Sequence, residues 1–437
     1  MSGAPPPPRA LLRELFAAAL AAVDPAAAIA RVVEREGDAV RVGGEVTPPA
    51  RCVVLAAGKA SVAMARAWHE RVGPPRAGLV VSREPGALPA PWRTRVGGHP
   101  LPTEASAAAG EAAIVLAEEV REDETFVVLL SGGASALLST PLPGLTLADV
   151  RATTRALYLG GAPIGSLNCV RKHLTAASGG RLAARTRARA TRVLALSDVI
   201  GDDVATIGSG PCAPDDTTFR QALAVLESGD AREKAPAAAL AHLERGMRGE
   251  IEETPKRSAA CFARVRHTIV GSNATALAAA AGAARARGID ASVRAEPLSG
   301  EARETGAQLA REALGMRSGV PRLWIAGGET TVTVSGDGNG GRCQELALGA
   351  ALALAGERGV TLLAAGTDGS DGPTPAAGAF ADGETVARGR AAGVDARAAL
   401  ARNDSYGFFA PEGGHLITGA TGTNALDVVL VLVEPHS

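Results

Sequence analysis

From about residue 50 onward, short apolar runs of β type alternate with Ala-rich helical stretches. That alternation predicts a mostly parallel sheet with helices on both faces, a Rossmann-like α/β arrangement. Four runs stand out in the first half: Cys52 to Ala57, Gly78 to Ser82, Thr125 to Leu130 and Arg192 to Leu196. The first passes through Gly58-Lys59 into a helical Ala60 to Arg71, the third ends in Ser131-Gly132-Gly133-Ala134-Ser135, and the fourth ends in Ser197-Asp198. These loops fall at strand carboxyl ends, the edge that carries ligands in open α/β sheets.

Between about Phe219 and Arg257 the chain turns helical, charged and Gly-poor, and a second α/β series then opens with His267 to Val270. This places a boundary that gives a Rossmann-like domain over 1–235 and a second, smaller α/β domain over 236–437. The second series continues through Arg322 to Ala326, Thr330 to Val334, Thr361 to Ala365 and Val428 to Val433, with a helix over Gln344 to Leu354. Arg9 to Val33 is expected to form helical segments after a disordered Pro5 to Pro8 tail.

At 437 residues two domains are the natural expectation, and 46% apolar with 21% charged residues is a globular balance. A net charge of −1 provides no field for nucleic acid or anionic lipid, and 3% aromatic content serves base stacking poorly. No partner of either kind is expected. Five scattered Cys without a C-x-x-C pair indicate reduced thiols in the cytoplasm. The Ala-rich start imitates a secretory signal, but Glu14 and Asp24-Pro25 argue against one, and no charge-free apolar stretch spans a membrane. Of 45 basic residues only four are Lys, among them Lys59, a hint that an ammonium is wanted there.

Gly58-Lys59 is not a P-loop, since position 53 is Val rather than Gly. It remains a Gly turn and a Lys at a helix start, a setting that favours an anion. The loop Ser131, Gly132, Gly133, Ala134, Ser135 can approach phosphate oxygens closely. Asp198, Asp202 and Asp203 follow a strand end, and Mg²⁺ favours one or two carboxylates plus substrate phosphates. A second acidic cluster, Thr367-Asp368-Gly369-Ser370-Asp371, follows Ala365, and either loop could instead be plain Asx-turn chemistry. Gly336-x-Gly338-x-x-Gly341 formally matches the dinucleotide fingerprint, which makes an NAD(P)H-dependent reductase the alternative. No acid ends a second strand about 20 residues on, and the loop instead presents Arg342, a residue suited to carboxylate or phosphate. His99, His173 and His267 have no defensible Ser-His-Asp order, so each is expected to be structural or peripheral. Arg171 and Lys172, on a helix that includes Asn168, could face a cleft or water.

Together these loops are what phosphoryl transfer requires. From about Leu11 to Val433 the chain resembles the class II glycerate 2-kinases, whose C-terminal half carries the MOFRL-type module, here about 321–433. The segments that carry the resemblance include Ala57-Gly58-Lys59-Ala60-Ser61, Gly98-His99-Pro100-Leu101-Pro102, Ser131 to Leu137, Asn168-Cys169-Val170-Arg171-Lys172-His173 and Ser197 to Asp203. Gly327-Gly328-Glu329-Thr330-Thr331, Gly340-Gly341-Arg342-Cys343-Gln344-Glu345, Gly366-Thr367-Asp368-Gly369 and Thr421-Gly422-Thr423-Asn424 complete the series. The resemblance implies ATP- and Mg²⁺-dependent phosphorylation of the 2-hydroxyl of D-glycerate. A related hydroxy acid is the other acceptor to consider, and a homodimer is allowed. Lys59 and Arg342 would be the principal active-site cations, with Asp198 beside them. Ser131 to Ser135, Asn168, Gly340, Gly341, Thr367 and Asp368 would line the substrate and nucleotide sites, with Asp198 and Asp203, or Asp368, holding Mg²⁺ or orienting the hydroxyl. Cys343 stands where the family pattern has Asn, Thr103 where it has an acid, Ser178 where Lys is common and Leu426 where a second Asn often sits, which puts the acceptor in question.

Overall fold

The computed structural model describes residues 6–228 and 231–435; Pro5 of the expected tail lies outside them. Its contacts divide the chain into one unit of Pro25–Val270 and another of Met1–Asp24 with Gly271–Ser437.

In the Pro25–Val270 unit a six-stranded sheet runs in the order Trp92–Val96, Ala77–Ser82, Cys52–Ala57, Thr125–Ser131, Ala190–Leu196, Val265–Gly271. The pairings from Trp92–Val96 to Ala190–Leu196 are parallel. Cys52–Ala57 and Thr125–Ser131 are buried at every position, as continuous apolar runs covered on both faces should be. Numbered along the chain, the first five strands lie in the order 3-2-1-4-5, so the direction of winding reverses between Cys52–Ala57 and Thr125–Ser131. Ligands of doubly wound sheets bind beyond the strand ends at that reversal. The expected helical stretch forms Pro8–Ala22 and Pro25–Ala30, and a small antiparallel sheet, Val33–Glu36, Ala39–Val42 and Glu45–Thr47, begins at its last residue.

The boundary expected at 235/236 falls inside this unit. The amphipathic helices Phe219–Glu227 and Ala237–Met247 bury Phe219, Leu223, Leu226 and Leu243 against Val150, Leu157, Leu167 and Val170. His267 to Val270, expected to open the second series, is part of the edge strand of the first sheet.

The other unit holds a mixed six-stranded sheet in the order Asp290–Val293, Arg322–Gly328, Asp427–Val433, Val360–Gly366, Gly378–Asp382, His415–Leu416. Its central strand, Asp427–Val433, is antiparallel to both neighbours. Asp427 therefore stands opposite Gly328 and Gly366, the last residues of the flanking strands. The helix Pro8–Ala22 starts within the expected tail, with Pro at a first-turn position where a missing N–H costs nothing. Its Leu12, Leu15 and Phe16 pack on the helix Asn273–Arg285, each contributing about 2 kcal/mol of burial. Thr330 to Val334 is not a strand: Thr331 makes one bridge to Glu301, and Thr333 N–H and Oγ1 donate to the Glu301 carboxylate.

Candidate active site

At the reversal point two loops are locked together by their own backbone. The Lys59 N–H donates to the Gly132 carbonyl at 2.8 Å, and the Ala60 N–H donates to Ser131 Oγ at 3.0 Å. These donors of the Gly58-Lys59 turn are thus committed to the neighbouring loop rather than to an anion, which leaves the Lys59 side chain as the group with chemistry to offer. Gly58 has φ +119°, and a Cβ there would lie 2.3 Å from the Ser131 carbonyl oxygen, so only Gly fits. Gly132 serves a different purpose: a Cβ on it would fall 1.7 Å from Asp198 Oδ2. Its bare backbone is what lets the Asp198 carboxylate lie against the Ser131–Ser135 loop.

Beside these loops, within the same unit, is a cavity of about 320 Å³ lined by His99, Ser135, Asn168, Arg171, Asp198 and Ser209, among others. Ser135 Oγ and Ser209 Oγ are 2.7 Å apart, Ser209 Oγ donates to Asn168 Oδ1 at 3.2 Å, and Arg171 Nη2 donates to the same oxygen. His99, expected to be structural or peripheral, is on the cavity wall next to Gly133. Burial, together with the charges of Lys59 and Arg83, lowers its pKa to about 4, so the ring is neutral at physiological pH. Asp203, the other expected metal ligand, accepts from Ala205 N–H at 3.1 Å and Thr206 Oγ1 at 2.5 Å, so both its oxygens cap the turn that carries Thr206 to the cavity.

The remaining predicted residues gather in the other unit. Arg342 opens the helix Arg342–Leu354 and is not a loose guanidinium: it grips Asp427 through Nε at 2.5 Å and Nη2 at 2.9 Å, and Glu329 through Nη1 at 2.7 Å. Burial disfavours its charge, but the Asp427 contacts outweigh that and raise its pKa. Asp371 caps the same helix, taking the N–H groups of Cys343 at 3.0 Å and Gln344 at 2.8 Å. Burial raises Asp371 to about 6 against the pull of those N–H groups. Thr367 Oγ1 donates to the Leu426 carbonyl and accepts from Ala425 N–H, both at 2.7 Å, while Asp368 Oδ1 closes an Asx turn on Ser370 N–H at 3.1 Å. Cys343 is buried in the helix core with its thiol beside Asp427, the residue that grips Arg342.

The fingerprint-like loop is not a dinucleotide cradle. The N–H groups of Ser335 and Gly336 donate to Asn403 Oδ1, that of Gly338 to the Arg402 carbonyl and that of Asn339 to Asp404. A Cβ at 336 or 338 would strike Arg402 or Asp404 at 2.5 Å or less, so these glycines are there for packing. Asp427 and Ser209 went unrecognised in the sequence as site residues. An Asp opening an otherwise apolar strand and a Ser between two Gly were their only signals.

A doubly wound sheet with a lysine and a hydroxyl-lined cavity at its reversal point defines an α/β protein of the small-molecule kinase type. Residues 11–244 match the family described as a domain of unknown function, DUF4147, and residues 322–427 match the MOFRL family. The chain is 36% identical to a glycerate 2-kinase of Pyrococcus horikoshii over 96% of both chains. It is 38% identical to a D-glycerate 2-kinase of Thermotoga maritima over 88% of this chain and 91% of that one. The crystal structure of a glycerate kinase from Thermotoga maritima superposes with a TM-score of 0.84 at 34% identity, covering 97% of this chain and 99% of that one. The chain belongs to the glycerate kinase family that joins a DUF4147 domain to a MOFRL module.

Proposed function

We propose that the protein transfers the γ-phosphoryl group of ATP to the 2-hydroxyl of D-glycerate, giving 2-phosphoglycerate and ADP. The observation that carries this is that Lys59 and Asp198 both lie against the Ser131–Ser135 loop, which lines the cavity through Gly133 and Ser135, on a chain similar along its whole length to glycerate 2-kinases.

The hydroxyl oxygen attacks the γ-phosphorus, the bond to the β–γ bridging oxygen breaks, and the hydroxyl proton leaves to a nearby base or to water. Little covalent work falls to the protein, so positioning and charge carry the catalysis. The Ser135, Ser209 and Asn168 network offers hydroxyl and amide groups that orient a small polyol acid. Asp198, set against Gly132, is the group we assign to orient or deprotonate the attacking hydroxyl. Lys59 is the cation we assign to the transferred group; within its own unit Arg342, its direction fixed by Asp427, is a guanidinium suited to an anionic group. Mg²⁺ bound to the nucleotide would neutralise phosphate charge. Asp198, at the cavity wall, is the carboxylate we assign to such an ion, with the nucleotide phosphates supplying the remaining oxygens. Five unpaired thiols suit a reducing compartment, and with ATP as co-substrate we place the protein in the cytoplasm. No helix among the described residues is long and apolar enough to cross a membrane.

The test is ADP release from D-glycerate and ATP by wild-type protein and by Lys59→Ala and Arg342→Ala, with NADH and hydroxypyruvate as control. Turnover in wild type that falls at least about 1,000-fold in both variants supports the proposal. NADH oxidation without ADP release refutes it.

A further inference from the structure

Arg171, Lys172 and His173 are three consecutive basic residues at the end of the helix Ile164–Lys172, and the structure treats them differently. Lys172 Nζ meets Asp215 at 3.4 Å, and His173 Nε2 meets Glu253 at 3.1 Å. Arg171 has no such partner: among the described residues it forms no ion pair, and its guanidinium donates to the neutral amide oxygen of Asn168. Its Nε is buried without a hydrogen-bond partner. Burial pushes the guanidinium below its ordinary value, and no acidic neighbour lifts it back. A desolvated cation without a counter-charge is costly to hold. Kept on the wall of a cavity, it is a place for an anion that arrives from outside.

The surroundings narrow the choice of anion. Arg171 shares the cavity of about 320 Å³ with Asn168, Ser135, Ser209 and Asp198. Asn168 Oδ1 accepts from both Arg171 and Ser209, so the guanidinium is aimed by the same network that offers hydroxyl contacts. That volume is at the small end of ligand sites and suits a three-carbon acid, whereas a whole nucleotide requires more room. The like charge of Asp198 on the same wall steers an anionic group toward Arg171. A planar guanidinium matches a carboxylate in geometry as well as charge.

Resting on the phosphoryl-transfer reading above, we infer that Arg171 is the specificity-determining residue for the acceptor. It holds the carboxylate of the 2-hydroxy acid, and Asn168 is the positioning residue that aims it.

The discriminating variant is Asn168→Asp. Its oxygens accept from Arg171 and Ser209 as the amide does, so the fold is kept and the half-buried cation gains a counter-charge. Thermal stability is expected to stay level or rise, yet KM for D-glycerate climbs roughly 10- to 100-fold, the loss of a charge-assisted contact. KM for ATP stays within about twofold. Arg171→Met should show the same KM rise and lose the preference for D-glycerate over glycerol; if it does not fold, Asn168→Asp carries the test. An unchanged KM for glycerate in folded Asn168→Asp overturns the inference. A rise in KM for ATP alone also overturns it, and assigns Arg171 to a nucleotide phosphate. Calorimetric titration with D-glycerate and with glycerol separates this inference from the kinase reading. Acid-selective binding lost in Asn168→Asp, without phosphoryl transfer by wild type, sinks the kinase reading and leaves Arg171's role standing. Turnover with binding indifferent to Asn168→Asp does the reverse.

Discussion

Gly132→Ala adds one methyl group at the point where Asp198 meets the Ser131–Ser135 loop. The new Cβ would lie 1.7 Å from Asp198 Oδ2 and 2.3 Å from its Cγ. Ordinary contact is about 3.5 Å, so the carboxylate must retreat by roughly 1.5–2 Å. Asp198 is only partly buried and can swing to another rotamer, at a cost of order 1 kcal/mol, or a Tm loss of about 3 °C. Catalysis should suffer far more, because displacing a reacting group by about 1 Å costs on the order of 100-fold. Gly58→Ala provides the contrast. There φ is +119° and the Cβ would lie 2.3 Å from the Ser131 carbonyl oxygen, a clash with unyielding backbone in the buried turn at the sheet's carboxyl edge. That variant should lose more than about 3 kcal/mol of stability. The assay is kcat for ADP release beside a thermal melt for each variant. A wild-type kcat in Gly132→Ala, or a melt as damaged as that of Gly58→Ala, would refute the claim that Gly132 exists to seat Asp198.

Three further outcomes follow from the electrostatics. His99, lowered to about 4 by burial and by Lys59 and Arg83, binds its proton less tightly folded than unfolded, so its contribution to stability fades as pH falls from about 6.5 toward 4; NMR titration should find that low midpoint, raised in Lys59→Met, and a midpoint near 6.5 in wild type would contradict it. Asp371 has the opposite sign: its folded value of about 6 exceeds the unfolded 3.8, so its stabilising share is present below pH 3.8 and lost as pH rises through 6. Melting curves of Asp371→Asn between pH 4 and 7 should lack that slope, and the variant should be about 1–2 kcal/mol weaker, since one amide oxygen cannot serve the N–H groups of both Cys343 and Gln344. Asp427→Asn removes the charge that grips Arg342 and should reduce stability by about 2 kcal/mol, discounted for the guanidinium's partial exposure; denaturant midpoints check this, and unchanged midpoint and activity would mean the pair positions nothing.

The parts of the molecule legible beforehand were those whose cause is local. Cys52 to Ala57 and Phe126 to Leu130 are apolar throughout because both faces are covered, and the Gly loops that follow them announce strand ends. Trp92–Val96 escaped notice because, at the sheet edge, it carries Arg and Thr outward. Gly378–Asp382 is rich in Ala and reads equally well as helix. The boundary was misplaced because the charged faces of Phe219–Glu227 and Ala237–Met247 concealed apolar stripes packed on Leu157 and Val170. That Pro8–Ala22 packs on Asn273–Arg285 rests on contacts hundreds of residues apart, which no local pattern records. The site divides in the same way: Lys59, the Ser131–Ser135 loop and Asp198 are adjacent as loops of one sheet edge suggest, whereas the grip of Asp427 on Arg342 depends on the register of an antiparallel central strand.

The central claim is most directly tested by the identity of the product. Purified protein given D-glycerate, ATP and Mg²⁺ should yield ADP and a single phosphomonoester whose ³¹P signal couples to the proton on C2, marking 2-phosphoglycerate. Coupling to the two protons on C3 would mean transfer to the other hydroxyl, and the absence of any phosphoglycerate while NADH is consumed with hydroxypyruvate would contradict the account.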